Sequence, residues 1–220
     1  MHDTAYKTGG MFLQLYWREN FREIVELGSF NENGTLRDFS PVGATYTGLD
    51  MSAGPGVDII VDPDKKLPLE DGSADVVIAS SVFEHDRFFW ATFLELARIV
   101  RPGGFIYISA PSNGEFHRYP VDCWRFYPDA GVAMVEWAKR NGLEIELIEC
   151  FTTEREGEHW NDFVAVYHKK GDVPFKLKRF ISDCVPCTNI TRLGETGILN
   201  EVRATEDMRI IERLRAQERR

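Results

Sequence analysis

The stretch IVELGSFNENGTLRDF, from Ile24 to Phe39, decides how this sequence is interpreted. A short apolar run leads through Glu26 to Gly28, small polar residues continue to Gly34, and an amphipathic pattern follows. This order predicts a strand, a tight turn and the start of a helix. A glycine-rich turn at the carboxyl end of a strand lets the backbone approach a ligand, and a helix start offers it free N–H groups.

Short strand-like runs alternate with amphipathic stretches over most of the chain. The clearest helical stretch is FFWATFLELARIVRPGG, where apolar residues recur at three- and four-residue spacing until a Pro-Gly-Gly sequence ends the pattern. The segment GGMFLQLYWRENFRE predicts an N-terminal helix. This alternation predicts an α/β fold with a doubly wound, mostly parallel sheet and helices on both faces. The strand-like runs are REIVELGS, TYTGLDM, DIIVD, ADVVIASS, GFIYISAP, EIELIECF and DFVAVYHK.

The length allows one principal domain. With 220 residues and 43% hydrophobic residues, the chain can bury one good core, which we place at residues 1–168. Residues 169–220 are predicted as a C-terminal extension in which the strand pattern is lost. The extension ends in EDMRIIERLRAQERR, a charged helix candidate whose narrow apolar stripe either packs on the domain or docks on a second copy in a homodimer.

Charge and composition exclude several classes of protein. Residues 1–168 hold 14 Lys and Arg against 27 Asp and Glu, whereas residues 169–220 hold 12 against 8. An acidic body of this kind argues against nucleic acid as a partner. No apolar run is long enough for a signal peptide or a membrane span, so we expect a cytoplasmic protein without a membrane partner.

The four cysteines are expected to be reduced thiols, because they are too few and too scattered for a disulfide framework. Cys184 and Cys187 form a CxxC, but no second pair of ligands stands nearby, and no metal site is predicted from it. Asp86, Asp122 and Glu158 could supply oxygen ligands to a divalent ion, although nothing in their spacing requires one.

An acidic residue after the second run indicates what the turn could bind. TYTGLDM ends its apolar run at Asp50, 22 residues after Gly28, where a carboxylate can accept hydrogen bonds from a ribose diol. The turn lacks G-x-G-x-x-G, which disfavours a dinucleotide. A nucleoside without a pyrophosphate fits better. The alternative is that Gly28 and Gly34 only shape a turn and Asp50 caps a helix.

Four segments in order, VELGSFNENG, YTGLDM, VDPDKKLPLEDGSADVVIASSVFEH and LARIVRPGGFIYISAP, resemble class I S-adenosylmethionine-dependent methyltransferases of the type 11 group. The resemblance spans roughly residues 20–168 and implies a Rossmann-like sheet of seven strands with the last strand antiparallel. It also implies S-adenosyl-L-methionine as cofactor. The segment HRYPVDCWRFYPDA resembles bacterial methyltransferases of surface-polysaccharide gene clusters, which implies a hydroxyl of a sugar or glycan precursor as acceptor.

The resemblance assigns cofactor-binding residues one by one. Its opening acid-x-glycine motif matches Glu26 and Gly28, its ribose-binding acid matches Asp50, and its adenine-contacting acid matches Asp62. Ser80 would line the methionine end. Phe30 stands where a second glycine is common, and Pro63 lacks an N–H, so a backbone donor to adenine must come from Asp64 or beyond. The remaining assigned residues are Ser29, Asn33, Gly34 and Met51.

The chemistry is expected in the segment that follows the fifth strand. Removing a proton from a hydroxyl needs a base, and His117 lies in this segment, with His85 after the fourth strand as its rival. Asp122 completes the predicted catalytic group. Aromatic faces beside fixed hydrogen-bonding groups suit a polar ring, which makes Tyr119, Trp124 and Arg125 candidates for acceptor binding.

Each of these interpretations has a competitor. His85 could be structural, and the aromatic segment could be a rigid lid in which Trp124 and Phe126 plug the core and Arg125 pairs with Asp122. The loop TTEREGEHWND could close over the same site or be a solvated hairpin tip. For function, the alternatives are methylation of an amine or a phosphorylated small molecule, a cofactor-binding module without catalysis and, least favoured, an oxidoreductase.

Overall fold

The computed structural model describes residues 2–171 and 176–219. Residues 172–175, which include Pro174 of the predicted extension, lie outside the described residues, as do the two terminal residues. The strands are β1 (Glu23–Leu27), β2 (Thr45–Asp50), β3 (Ile59–Ile60), β4 (Ala74–Ser80), β5 (Val100–Pro111), β6 (Ile145–Thr153), β7 (Asp162–Lys169) and β8 (Cys187–Arg192). The helices are α1 (Asp3–Tyr16), α2 (Phe89–Ile99), α3 (Asp129–Arg140) and α4 (Glu206–Glu218).

The eight strands form one sheet in the order β3-β2-β1-β4-β5-β7-β6-β8. Strands β1 to β5 pair in parallel, and β7 is antiparallel to both β5 and β6. Each of the seven strand-like runs of the sequence contains a strand. The chain order reverses between β1 and β4, so their carboxyl ends form the crevice in which such sheets bind ligands.

The sheet is covered on both faces, as predicted. One apolar cluster packs α2 and α3 against the central strands, with Phe93, Leu96 and Met134 among its members. The other contains Phe12 and Tyr16 of α1 together with apolar residues of the extension. Because β4 is buried along its whole length between these clusters, its carboxyl end is held rigidly at the crevice.

The predicted helix after the glycine turn does not form. Only a four-residue 3₁₀ turn, Leu36–Phe39, follows, and the Thr35 side chain accepts a hydrogen bond from the Arg37 N–H at its start. Instead α1 packs on this turn, where Gly9 and Gly10 lie so close to Leu36 and Phe39 that a Cβ on either glycine would clash. The N-terminal helix therefore spans Asp3–Tyr16 rather than the predicted segment, which began at Gly9.

The extension belongs to the sheet, and the prediction that the strand pattern is lost after residue 168 is wrong. Strand β8 pairs antiparallel with β6 and forms the sheet edge. The buried Glu149 carboxylate of β6 accepts hydrogen bonds from the Ile181 N–H at 2.8 Å and the Ser182 N–H at 3.1 Å. It also accepts one from the Tyr16 hydroxyl at 2.6 Å, so one carboxylate joins α1, β6 and the extension.

Candidate functional site

Gly28 ends β1 in a conformation that requires glycine. Its φ is +78°, and a Cβ at this position would run into the Val82 side chain. Its N–H donates to the Leu49 carbonyl of β2 at 2.8 Å. The turn after β1 is therefore pressed against the loop after β4, which brings the predicted cofactor residues close to the segment that carries His85.

The rest of the turn is closed by its own polar side chains. Gly34 has a φ of +137°, and its N–H donates to the Asn31 side-chain oxygen at 3.0 Å. The Asn31 N–H donates to the Pro55 carbonyl beyond β2 at 2.8 Å. Asn33 lies exposed between them. Because no full helix follows, this turn lacks the helix start that the sequence predicted, and the N–H groups of Gly28, Asn31 and Gly34 are used within the protein.

Asp50 lies at the carboxyl end of β2, beside the glycine turn. Its carboxylate accepts hydrogen bonds from the Phe30 N–H at 3.3 Å and the Ser52 N–H at 3.0 Å. Since two carboxylate oxygens have about four acceptor positions, capacity remains for a ligand hydroxyl. The Phe30 ring lies directly over Gly54, and Met51 is 49% exposed beside Asp50.

Asp62 lies beyond the short β3, where it is engaged in its own turn. It accepts the Asp64 N–H at 3.0 Å and pairs with Lys65 at 2.9 Å, and the Lys65 hydrogen bond lowers the pKa of this exposed carboxyl. The Lys65 N–H donates to the Asp62 carbonyl. The N–H groups of Asp64 and Lys65, the first two after Pro63 that could donate to adenine, are therefore used within the turn.

Buried polar groups lie under the carboxyl ends of β1 and β4. Glu26 is 2% exposed and accepts the Tyr46 hydroxyl at 2.9 Å; burial raises its pKa to about 7. The Ser29 and Ser80 hydroxyls are buried and have no hydrogen-bond partner among the described residues. Unpaired buried hydroxyls are costly, so these two, with Asp50 and the close approach at Gly28, fit a polar ligand in the crevice.

Two predicted bases, His85 and His117, meet in space although 32 positions separate them. Their ring centroids are 5.0 Å apart and their planes are nearly perpendicular. Beside them lies Glu84, whose carboxyl is fully buried, with Oε1 3.7 Å from His85 Nε2. Burial raises the Glu84 pKa to about 8 and lowers that of His85. Glu84 was not among the predicted site residues; in the sequence it stands next to His85 in the segment FEH.

Asp122 holds the loop that carries His117. Both of its oxygens accept from the Arg125 guanidinium, at 2.6 and 2.9 Å, and one also accepts the His117 N–H at 2.8 Å. The Arg125 hydrogen bond, with smaller contributions from His117, lowers the pKa of Asp122 to about 2. A carboxylate this acidic is a poor proton acceptor, so the geometry gives Asp122 a positioning role and favours the paired Arg125 of the lid interpretation.

The aromatic residues of this loop divide between packing and exposure. Phe126 is buried against Phe89 and Phe163, as the lid interpretation predicted. Trp124 donates from Nε1 to the Asp86 carbonyl at 2.8 Å and remains 36% exposed. Tyr119 is 61% exposed and donates to Glu32 at 3.2 Å, which links this loop to the glycine turn.

The loop between β6 and β7 does contact the aromatic loop. Trp160 is buried, with its ring 5.1 Å from the His117 ring, and the Asn161 N–H donates to the Asn113 side chain at 2.7 Å. His159 pairs with Glu115 at 2.6 Å. The end of the loop at Trp160 packs on the aromatic loop, whereas its tip at residues 156–159 is exposed, as the solvated-tip interpretation predicted.

A polar cleft of about 590 Å³, counted with its open mouth, lies elsewhere. It is lined by Ser112, Thr152, Asn189 and the first turn of α4, and none of the predicted site residues lines it. No helix in the described part of the chain is long and apolar enough to cross a membrane.

Comparisons with known proteins agree with this architecture. Residues 26–108 match the family model described as a methyltransferase domain. Among solved structures, the Burkholderia thailandensis 1,6-didemethyltoxoflavin-N1-methyltransferase, with bound 1,6-didemethyltoxoflavin and S-adenosylhomocysteine, is 12% identical and has a TM-score of 0.56, over 77% of this chain and 80% of that one. The fold is the Rossmann-like methyltransferase fold.

A curated protein and a second solved structure are also similar to this chain. The phthiotriol/phenolphthiotriol dimycocerosates methyltransferase of Mycobacterium tuberculosis (strain ATCC 25177 / H37Ra) is 36% identical over 94 residues, which cover 36% of this chain and 34% of the relative. The chain thus spans about a third of that curated relative. The [4+2]-cyclase SpnF also shares the methyltransferase fold, with a TM-score of 0.55, 12% identity and coverage of 75% and 81% of the two chains.

Proposed function

We propose that this protein is an S-adenosylmethionine-dependent methyltransferase that transfers a methyl group to a hydroxyl of a small polar acceptor of the sugar or glycan-precursor class. The observation that carries this proposal is the match of residues 26–108 to a methyltransferase domain, because this range contains both Gly28 and Asp50 at the crevice. The solved neighbour that holds S-adenosylhomocysteine supports the choice of cofactor.

The cofactor would be held by the ends of β1, β2 and β4. Asp50 would accept the ribose hydroxyls, Gly28 would let the backbone approach, and Ser80 would offer its unpaired hydroxyl. Glu26, Ser29, Asn33, Gly34, Met51 and Asp62 complete the proposed set. When bound, the cofactor supplies an electrophilic methyl group on a sulfonium, so the protein need only orient the acceptor and take its proton.

The proton acceptor in this proposal is an imidazole of the His85–His117 pair. His85 donates from Nδ1 to the Val121 carbonyl at 2.6 Å, which leaves the lone pair on Nε2. Because burial lowers the pKa of His85, the ring is neutral near pH 7 and able to accept a proton. His117 is the more exposed partner, and Asp122 fixes its backbone.

The acceptor would lie against the aromatic loop. The ring of Tyr119 lies 6.1 Å from that of His85, and Trp124 on the same loop offers a second exposed flat surface. The Arg125 guanidinium is already occupied by Asp122, so in this proposal it stiffens the loop instead of binding the acceptor directly. Sugar rings combine apolar faces with fixed hydroxyls, which is why this class of acceptor is favoured.

The first test is calorimetric titration with S-adenosylhomocysteine. We expect micromolar binding that Asp50→Ala weakens at least 10-fold, whereas Glu136→Ala, which removes an exposed acid on α3, leaves it unchanged. Equal affinity in all three proteins, or no binding, would overturn the cofactor assignment.

A methyl-transfer assay with different acceptors separates the acceptor classes. With nucleotide sugars as acceptors, His117→Ala should reduce turnover at least 10-fold while leaving S-adenosylhomocysteine binding intact. A modest loss with this variant and turnover of amines instead would favour N-methylation, since a neutral amine needs less help from a base.

A third candidate is a cofactor-binding protein that does not transfer methyl groups. The observation behind it is the cyclase neighbour, which shows that this fold also serves other functions. Cofactor binding without methylated product across the acceptor panel would select this candidate.

A further inference from the structure

The cluster formed by the buried Glu84 and the partly exposed His85 and His117 contains three ligand atoms of the kinds that transition metals prefer. One atom from each side chain lies within 4.8 Å of the other two. Glu84 and His85 come from the turn after β4, and His117 comes from the loop after β5. Two imidazoles and one carboxylate are a ligand set that binds a metal ion and leaves coordination positions open.

Glu84 is the observation that points to a ligand. Its side chain is fully buried, and neither carboxyl oxygen has a hydrogen-bond partner among the described residues. A buried carboxyl without partners is costly in free energy, so such groups are normally paired, protonated or bound to a metal. His85 Nε2 lies 3.7 Å from Oε1, beyond hydrogen-bond distance.

In each imidazole one nitrogen atom, Nδ1, lies near protein oxygen atoms, as is usual for metal-binding histidines. His85 Nδ1 lies 2.6 Å from the Val121 carbonyl, so hydrogen bonding places the proton there and the lone pair on Nε2. His117 Nδ1 lies 3.2 Å from the Glu115 carbonyl and 3.7 Å from the Asp122 carboxylate. Arg125 approaches the same nitrogen at 3.5 Å, but its N–H groups already serve Asp122 and Glu115 at shorter distances.

From this geometry we infer that Glu84, His85 and His117 bind one divalent ion of a first-row transition metal. Two imidazoles favour Zn²⁺, Fe²⁺, Co²⁺ or Ni²⁺ over Mg²⁺ and Ca²⁺, which prefer oxygen ligands. Ligands bonded at about 2.1 Å are at most about 4.2 Å apart, so binding needs a closure on the order of 1 Å. The His117 loop is the part that would close, because that side chain is partly exposed.

This ion site differs from the one that the sequence left open. Asp122 is occupied by Arg125, and Asp86 accepts the Phe88 N–H at 2.8 Å, while Glu158 does not belong to the cluster. The inferred ion does not depend on methyl transfer. Only its use rests on the proposed function: with the ion bound, the two imidazoles would be ligands instead of the proton acceptor, and the ion would act as a Lewis acid that lets the acceptor hydroxyl lose its proton to water.

The test is metal titration of chelator-treated protein, first with Co²⁺ followed by visible absorption and then with Zn²⁺ by calorimetry. We expect one equivalent of Co²⁺ to bind with the intense absorption of a low-coordinate site, and His117→Ala to weaken binding at least 10-fold. Glu84→Gln should do the same. Because Glu84 is buried, circular dichroism of each metal-free variant checks its fold. His117 is partly exposed, so its replacement by Ala keeps the test decisive even if the Glu84 variant does not fold.

Two control variants exclude other sites. His159→Ala removes an exposed histidine of the adjacent loop, and Cys184→Ser with Cys187→Ser removes the CxxC. Both proteins should bind Co²⁺ as the unaltered chain does. Loss of binding in the cysteine variant, equal binding in His117→Ala, or no stoichiometric binding would overturn the inference.

The outcome for the ion is separate from that for methyl transfer. Stoichiometric metal binding in a protein that does not bind S-adenosylhomocysteine supports the ion site and rejects the proposed function. Cofactor binding without metal binding does the reverse.

Discussion

The buried carboxyl of Glu26 should make stability depend on pH. Burial raises its pKa to about 7 in the folded chain, against 4.5 for a free glutamate, and the Tyr46 hydrogen bond offsets only part of this. The folded state therefore binds a proton more tightly than the unfolded state. The Glu26 contribution to stability is complete below about pH 4.5 and is lost as the pH rises through about 7.

The size of the effect follows from the two pKa values. Between pH 5 and pH 8 the free energy of unfolding should lose about 2.5 kcal/mol from this one group, at about 1.4 kcal/mol for each pKa unit. Glu26→Gln keeps an acceptor for the Tyr46 hydroxyl but cannot ionise. Its stability relative to the unaltered protein should therefore rise by about that amount over the same range.

Urea unfolding at several pH values measures this difference directly. Glu23→Gln makes the same substitution at the less buried start of β1 and should show little pH-dependent difference. If Glu26→Gln and the unaltered protein differ by the same amount at pH 5 and pH 8, the carboxyl is not desolvated as the structure shows, and the reasoning fails.

Three further predictions test other parts of the structure. Gly28→Ala should lower the thermal stability more than Gly43→Ala does. Both glycines have positive φ, so both substitutions introduce a strain of about 1–2 kcal/mol, but only a Cβ at Gly28 meets the Val82 side chain. Equal losses of stability would refute the close approach at Gly28. Glu149→Gln should lower the free energy of unfolding by about 3 kcal/mol and increase hydrogen exchange at Ile181 and Ser182, whereas unchanged exchange there would show that the extension is held elsewhere. Asp122→Asn should speed proteolysis within residues 112–127 and reduce turnover about 10-fold with little change in S-adenosylhomocysteine affinity, and a protein as resistant as the original would contradict the positioning role of Asp122.

The sequence by itself determined the strands of the sheet and the position of its crevice. All seven predicted runs contain strands, because strand periodicity and burial are local properties that a short window of residues records. The same holds for α2 and α4. The carboxyl ends of β1, β2 and β4 were predictable as the crevice, since the position of a strand end follows from the order of the elements.

Only the tertiary structure decided which distant groups meet. Glu84 was not recognised, because the sequence does not show that its carboxyl is fully buried beside two imidazoles, one of them 33 positions away. In place of the helix predicted after Gly34, a short 3₁₀ turn packs against α1. Strand β8 joined the sheet by pairing with β6, whose Glu149 also binds the N–H groups of the extension. These outcomes depend on pairing between remote segments, where the free energy of burial and of long-range hydrogen bonds outweighs local preference.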